Sequence, residues 1–121
     1  MTRINVVPVD TLCDQHLLAE WRELPRMNGF AEKCVDGTIP RCYVLGTGHM
    51  KFFLDKGIFL EHRHRELTNE LLRRGFNLID RSQFKMSDRF GRNDYVPTIQ
   101  ALQLNEERIR RRMPKTPRWS K

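Results

Sequence analysis

Cysteine is scarce in this chain: Cys13, Cys34 and Cys42 are odd in number, and none belongs to a Cys-x-x-Cys pair. Their spacing suits neither a zinc site nor a disulfide framework, so free thiols in a reducing cytoplasm are expected. Long apolar runs are also missing. No stretch approaches the roughly 18 residues that a membrane helix needs. Residues 4–9 are too short for the apolar core of a secretory signal and lack a cleavage pattern. No internal repeat or low-complexity tract is present, which argues against disorder. Negative charge is the remaining shortage. Fifteen Asp and Glu stand against 22 Lys and Arg, a net charge of +7 and a pI near 9.8, and this points towards a polyanionic partner.

What is present fits one domain spanning 1–121, near the commonest domain size, with 39% apolar residues for a modest core. The positive charge is localised. Residues 105–121 hold seven basic side chains, from Arg108 to Lys121, against Glu106 and Glu107, so +5 of the +7 lies in a basic helix end and tail.

Apolar spacing predicts three helices. Asp10 is a candidate cap for the first, Asp14 suits its early turn, and Pro25 ends or kinks it. At about 100° per residue Cys13, Leu17, Leu18, Trp21 and Leu24 share its core side. His16, Glu20 and Glu23 fall within an arc of roughly 60° on the other side, and Gln15, Arg22 and Arg26 form the next strip. The second helix runs over about residues 58–74, with Leu60, Leu67 and Leu71 as its apolar stripe and Gly75 as its stop. The third follows Pro97, turns Ile99, Leu102 and Ile109 inwards, and fades near Met113. Between the first two, "GFAEKCVDGTIPRC" reads as turns and "YVLGTGHMKFFLDKG" as a buried extended segment or tight loop. The fold class is all-α, a compact domain with long connecting loops.

Several small motifs carry little chemistry. Gly46-Thr47-Gly48 lacks the third glycine and the helix of a nucleotide loop, and reads as a packing turn. His62 and His64 are two apart on a helix and face different ways, so no metal site is expected. Glu23 beside Arg22 and Arg26 reads by default as a solvated face with helical ion pairs. The alternative is a carboxylate among phosphate-anchoring guanidiniums, which needs a reactive partner. The α-amine of Thr2, exposed once Met1 is removed, is one such group. Its reference pKa is about 7.7–8.0 against about 10.4 for lysine, so a sizeable fraction of it is already the neutral nucleophile at neutral pH. Yet every chain has a terminus, and composition alone does not single this one out.

The order "MTRIN", "DQHLLAEWRELPRM", "VLGTGHMKFF", "RRGFN" and "DYVP" closely resembles the phage-type pyrimidine-dimer DNA glycosylase/AP lyase family. The likeness spans the chain, with Cys13 and Trp21 replacing an Ala and a Tyr of the family signature. It implies three helices with the N-terminal segment passing between the first two. It also implies that the α-amine of Thr2 attacks C1′ of the 5′ nucleotide of a cyclobutane pyrimidine dimer. A Schiff base then forms, and β-elimination nicks the strand. By resemblance Glu23 stabilises the intermediate and moves protons, Arg22 and Arg26 grip phosphates, and Arg3, Gln15 and His16 lie at the DNA surface. Trp119 is the aromatic residue left of the family's tail, and among the basic side chains there it can stack on a base or dock on the core. His49 is matched in the family, with a place near the site or a structural role both open.

The resemblance implies no cofactor and no metal, lesion-containing double-stranded DNA as partner, no membrane association, a monomer, and the cytoplasm of a phage-infected bacterial host. Two alternatives stand beside this reading. One is the same chemistry on a different damaged or modified pyrimidine. The other is a non-catalytic helical DNA-binding module in which Glu23 merely pairs with Arg26.

Overall fold

The computed structural model describes residues 3–121. Among these residues five α-helices follow a 3-10 turn at Val9–Thr11: α1 Asp14–Glu23, α2 Arg26–Lys33, α3 His49–Phe52, α4 Gly57–Arg73 and α5 Ile99–Arg111. Among the described residues there is no β-strand, and Lys56 and Arg92 form an isolated bridge. The all-α class and the three expected helices are present, with α2 and α3 in addition.

Helix α1 starts differently from expectation. Asp10 lies in the 3-10 turn, and the residue at the N-cap is Cys13, whose side chain makes no capping bond. Asp14 does occupy the first turn, but it is buried and paired with Arg74 at 2.9 Å. Pro25 ends α1 and begins α2. Its φ of −60° suits a helix start, where the amide hydrogen that proline lacks would be unbonded anyway. Helix α2 therefore runs into the stretch read as turns, over residues 29–33, and its Met27 and Ala31 are buried.

Helix α4 follows its pattern. Leu60, Leu67 and Leu71 are fully buried, and α4 packs along α1, whose Leu17 and Leu24 are equally inaccessible. Each such leucine contributes about 1.5–3 kcal/mol of burial free energy. Gly75 closes the helix at φ +92°. There the Phe76 N–H donates to Leu71 O and the Gly75 N–H to Leu72 O, both at 3.0 Å, a paired closure that requires the left-handed region.

In the segment read as extended, Gly48 at φ +90° starts the single turn α3. That turn delivers Phe52 and Phe53 to an aromatic cluster. Their ring centroids are 5.1 Å apart and near-perpendicular, and Tyr95 meets Phe52 at the same distance, the edge-to-face arrangement that aromatic quadrupoles favour.

Thr98 caps α5 by accepting the Ala101 N–H at 3.1 Å. Ile99, expected inside, is exposed. The buried residues of α5 are Ala101 and Asn105, while Leu102 and Ile109 pack against the core edge.

Candidate active site

The site is built around the N-terminal segment. Residues 4–7 enter the core without a ladder of their own, so side chains must satisfy their backbone. The Ile4 N–H donates to His49 Nε2 at 3.0 Å, and the Tyr43 hydroxyl donates to Ile4 O at 3.2 Å. His49 Nδ1 donates to Val44 O at 2.8 Å, which fixes the neutral tautomer. Burial keeps the pKa of this imidazole below its ordinary value. Further along, Asn105 Oδ1 accepts the N–H of Val6 at 2.6 Å and of Val7 at 3.1 Å. Arg63 Nη1 donates to Val7 O. The segment is thus bonded to α4 and α5, and through Asn5 Nδ2, 2.8 Å from Glu20 Oε1, to α1.

Glu20 does not share the environment of Glu23. It is buried and bidentate with Arg63, at 2.8 Å and 3.1 Å. The helical arc that put it on a polar face with His16 and Glu23 faces a second layer of protein, because the N-terminal segment lies there. One turn on, Glu23 is half-buried and has no ion-pair partner among the described residues, neither Arg22 nor Arg26 included.

Glu23 lines a cleft of about 120 Å³ together with Arg3, His16, Arg108 and Arg112. Two polar atoms here are buried without a partner among the described residues: Arg108 Nη2 and His16 Nδ1. The other nitrogen of His16 contacts Arg112 O at 3.0 Å. Burial and the neighbouring charges of Arg3 and Arg112 all lower the pKa of Arg108. Three guanidiniums crowd a space in which Glu20 is already neutralised by Arg63, and Glu23 is the carboxylate left without an ion-pair partner among the described residues. Such a cleft favours an anion, and the unsatisfied Arg108 donor is suited to accept one, since a buried guanidinium N–H without an acceptor carries a desolvation penalty.

The structure brings Arg3, His16 and Glu23 of the expected site together. Thr2, the expected nucleophile, lies outside the described residues. Gln15 is elsewhere and holds the tail: its Nε2 donates to Thr116 O at 2.9 Å and its Oε1 accepts the Arg118 N–H at 3.0 Å. Asp14 assists by donating its N–H to Arg118 O at 2.7 Å and by accepting the Ser120 hydroxyl. Arg22 and Arg26 are exposed. Arg22 flanks a different groove, with Trp21, Pro25, His64 and Phe84. Trp119 on the pinned tail is 51% exposed.

Arg108 and Arg112 escaped the sequence reading, which counted them only as part of a basic end. Their i, i+4 spacing, with Asn105 three residues before Arg108, was the available signal for one face. Asn105, Arg63 and Tyr43 had no signal, since their role depends on a segment about 40 to 100 residues away in sequence.

Among the described residues no three His, Cys, Asp or Glu side chains gather to hold a metal ion, and no helix is long and apolar enough to cross a membrane. A family profile for pyrimidine dimer DNA glycosylase matches residues 1–83. The matched region runs from the N-terminal segment through α1 and α4 into the connection that follows α4, and it includes Arg3, His16 and Glu23 of the cleft. The chain therefore belongs to the pyrimidine dimer DNA glycosylase family.

Proposed function

We propose that the chain excises cyclobutane pyrimidine dimers from double-stranded DNA and nicks the strand through an imine formed by its own α-amine. One observation carries this reading: the chain arrives at Arg3 in the cleft that holds an unpaired Glu23 and the guanidiniums of Arg108 and Arg112.

The neutral amine of Thr2 adds to C1′ of the 5′ nucleotide of the dimer. The N–C1′ bond forms as the C1′–N1 bond breaks, and the base leaves with the electron pair, gaining a proton while still joined to its neighbour through the cyclobutane ring. Loss of a proton from nitrogen and opening of the sugar at O4′, which takes up a proton, give the protonated imine. Removal of a C2′ proton then expels the 3′ phosphate with its electron pair, and water returns the amine by hydrolysing the unsaturated imine. Glu23 is the group that faces the cationic intermediate and shuttles these protons, a contribution typically of about 10²–10⁴-fold. Arg3, Arg108 and Arg112 hold phosphate oxygens. Arg22, Arg26 and Trp119 lie outside the cleft and extend the DNA surface, and Gln15 contributes by holding the tail that bears Trp119. The chain acts as a monomer without a cofactor, and residues 1–121 work as one domain.

Borohydride reduction tests the imine. The protein is mixed with abasic-site DNA and with ultraviolet-irradiated DNA, reduced, and examined for a covalent adduct. A chain retaining Met1 or acetylated at its terminus is the control. Adducts on both substrates, absent from the control, are expected. No adduct on either rules out the enzyme reading in favour of a binding module. An adduct on abasic DNA alone keeps the lyase chemistry and transfers the specificity to another damaged pyrimidine.

A further inference from the structure

Asn105 is an asparagine with no accessible surface in the middle of a helix, and every polar atom of its side chain is used away from that helix. Its Oδ1 accepts two successive backbone amides, those of Val6 and Val7. Its Nδ2 donates to Asn5 Oδ1 at 2.7 Å. Asn5 passes the connection to Glu20, and Glu20 to Arg63, whose Nη1 returns to Val7 O. The bonds form a closed circuit through α1, α4, α5 and the N-terminal segment. Two members of the cleft hang directly on it: Glu23 is one turn beyond Glu20 on α1, and Arg108 is three residues beyond Asn105 on α5.

A buried amide is an expensive way to fill a helix position, because an apolar residue there would need no partners. What an apolar residue cannot do is fix the register of a strand-like segment against a helix. We infer that Asn105 is a positioning residue, which locks the N-terminal segment in register with Glu23 and the α5 arginines so that the terminal amine meets C1′ at bonding distance. This rests on the imine reading above. Asn105 contacts no reacting atom in this scheme. Its effect comes through orientation, and a misplacement of about 1 Å can cost about 10²-fold in rate.

The test uses the full chain and four variants, Asn105→Ala, Asn105→Asp, Asn105→Gln and Leu78→Ala. Asparagine-to-alanine removes both accepted bonds. The aspartate keeps an oxygen for the two amides; as the neutral acid it can still donate to Asn5 Oδ1, whereas ionised it sets an acceptor and a buried charge there. Leu78 is buried, makes none of the circuit's hydrogen bonds, and controls for general destabilisation. Folded fraction is followed by far-ultraviolet circular dichroism, affinity for abasic-site DNA by anisotropy, and the imine by the first-order rate of borohydride trapping at saturating DNA. The expected result for Asn105→Ala is a trapping rate lower by about 10²-fold with affinity little changed. Asn105→Asp should regain most of the rate, and Leu78→Ala should keep the wild-type rate per folded molecule. If Asn105→Ala traps as fast as wild type, or if Asn105→Asp is as slow as the alanine variant while folded and DNA-bound, Asn105 is not a positioning residue. If Asn105→Ala fails to fold, Asn105→Gln decides: it keeps both groups of the amide but sets them one methylene further out, so a register role predicts slower trapping per folded molecule, and a wild-type rate overturns it. Absence of trapping by the wild-type chain overturns the imine reading and this inference together; a defect or its absence confined to the variants bears on Asn105 alone.

Discussion

Glu20 and Glu23 stand one turn apart on α1 and meet opposite conditions. Glu20 is enclosed by Arg63 and Asn5, whereas Glu23 looks into the arginine-lined cleft with no ion-pair partner among the described residues. Substitution should separate them. Glu23→Gln should cut strand-nicking by about 10²-fold or more while leaving DNA affinity within a few-fold in a filter-binding or anisotropy titration. Collapse of affinity alongside activity would instead mark Glu23 as structural. Glu20→Gln should act on stability, because it leaves the buried Arg63 guanidinium short of its charge partner. The expected cost is about 3–5 kcal/mol by urea unfolding, and a loss below about 1 kcal/mol would contradict the buried-pair picture. The helical arc read from the sequence correctly grouped His16, Glu20 and Glu23. It could not tell which carboxylate is covered, since the covering arginine lies 43 residues further on.

At the scale of the helix, legibility followed local signals. Helix α4 was readable because its leucine stripe and Gly75 agree. With nothing within 4 Å of a Cβ built at Gly75, Gly75→Ala should cost only its left-handed backbone strain, roughly 1–2 kcal/mol in a denaturation curve. A neutral or stabilising alanine would refute that account. Helix α2 was missed because Pro25 carries two messages, ending one helix and suiting the start of another. Ile99 was misplaced because the inward face of α5 is not its most apolar one. The positions it turns to the protein are Ala101 and Asn105, chosen for close approach and hydrogen bonding. The outward consequence of that face is Arg108. Arg108→Ala should weaken DNA binding nearly uniformly across sequences and reduce the slope of log affinity against log salt by about 1, as expected for one phosphate contact. An unchanged slope would remove Arg108 from the phosphate-binding surface.

For the molecule as a whole, two buried imidazoles set an acid limit on stability. Burial lowers the pKa of both His49 and His64 below the ordinary 6.5. Their contribution to stability is present in full above pH 6.5. It is lost as pH falls from there through the lower folded-state values, because the unfolded chain takes up protons that the native state refuses. The urea midpoint should therefore fall between pH 7 and pH 5, before the carboxyls of Glu61 and Glu70, held near 2 by Arg92 and by Arg73 with Arg74, begin to protonate. A flat midpoint over that interval would mean that both rings are hydrated. The bond between Val6 and Asn105, 99 residues apart, also has a meaning in time. A ribosome delivers residue 6 well before residue 105, and helices α1 and α4 can form before α5 exists. On the proposed chemistry the nascent protein carries its reactive amine once Met1 is removed but receives the side chain that aims it only when α5 is made. On that reading the amine is aimed only after α5 has been made, and a fragment stalled short of α5 lacks the bonds that Asn105 gives to Val6 and Val7.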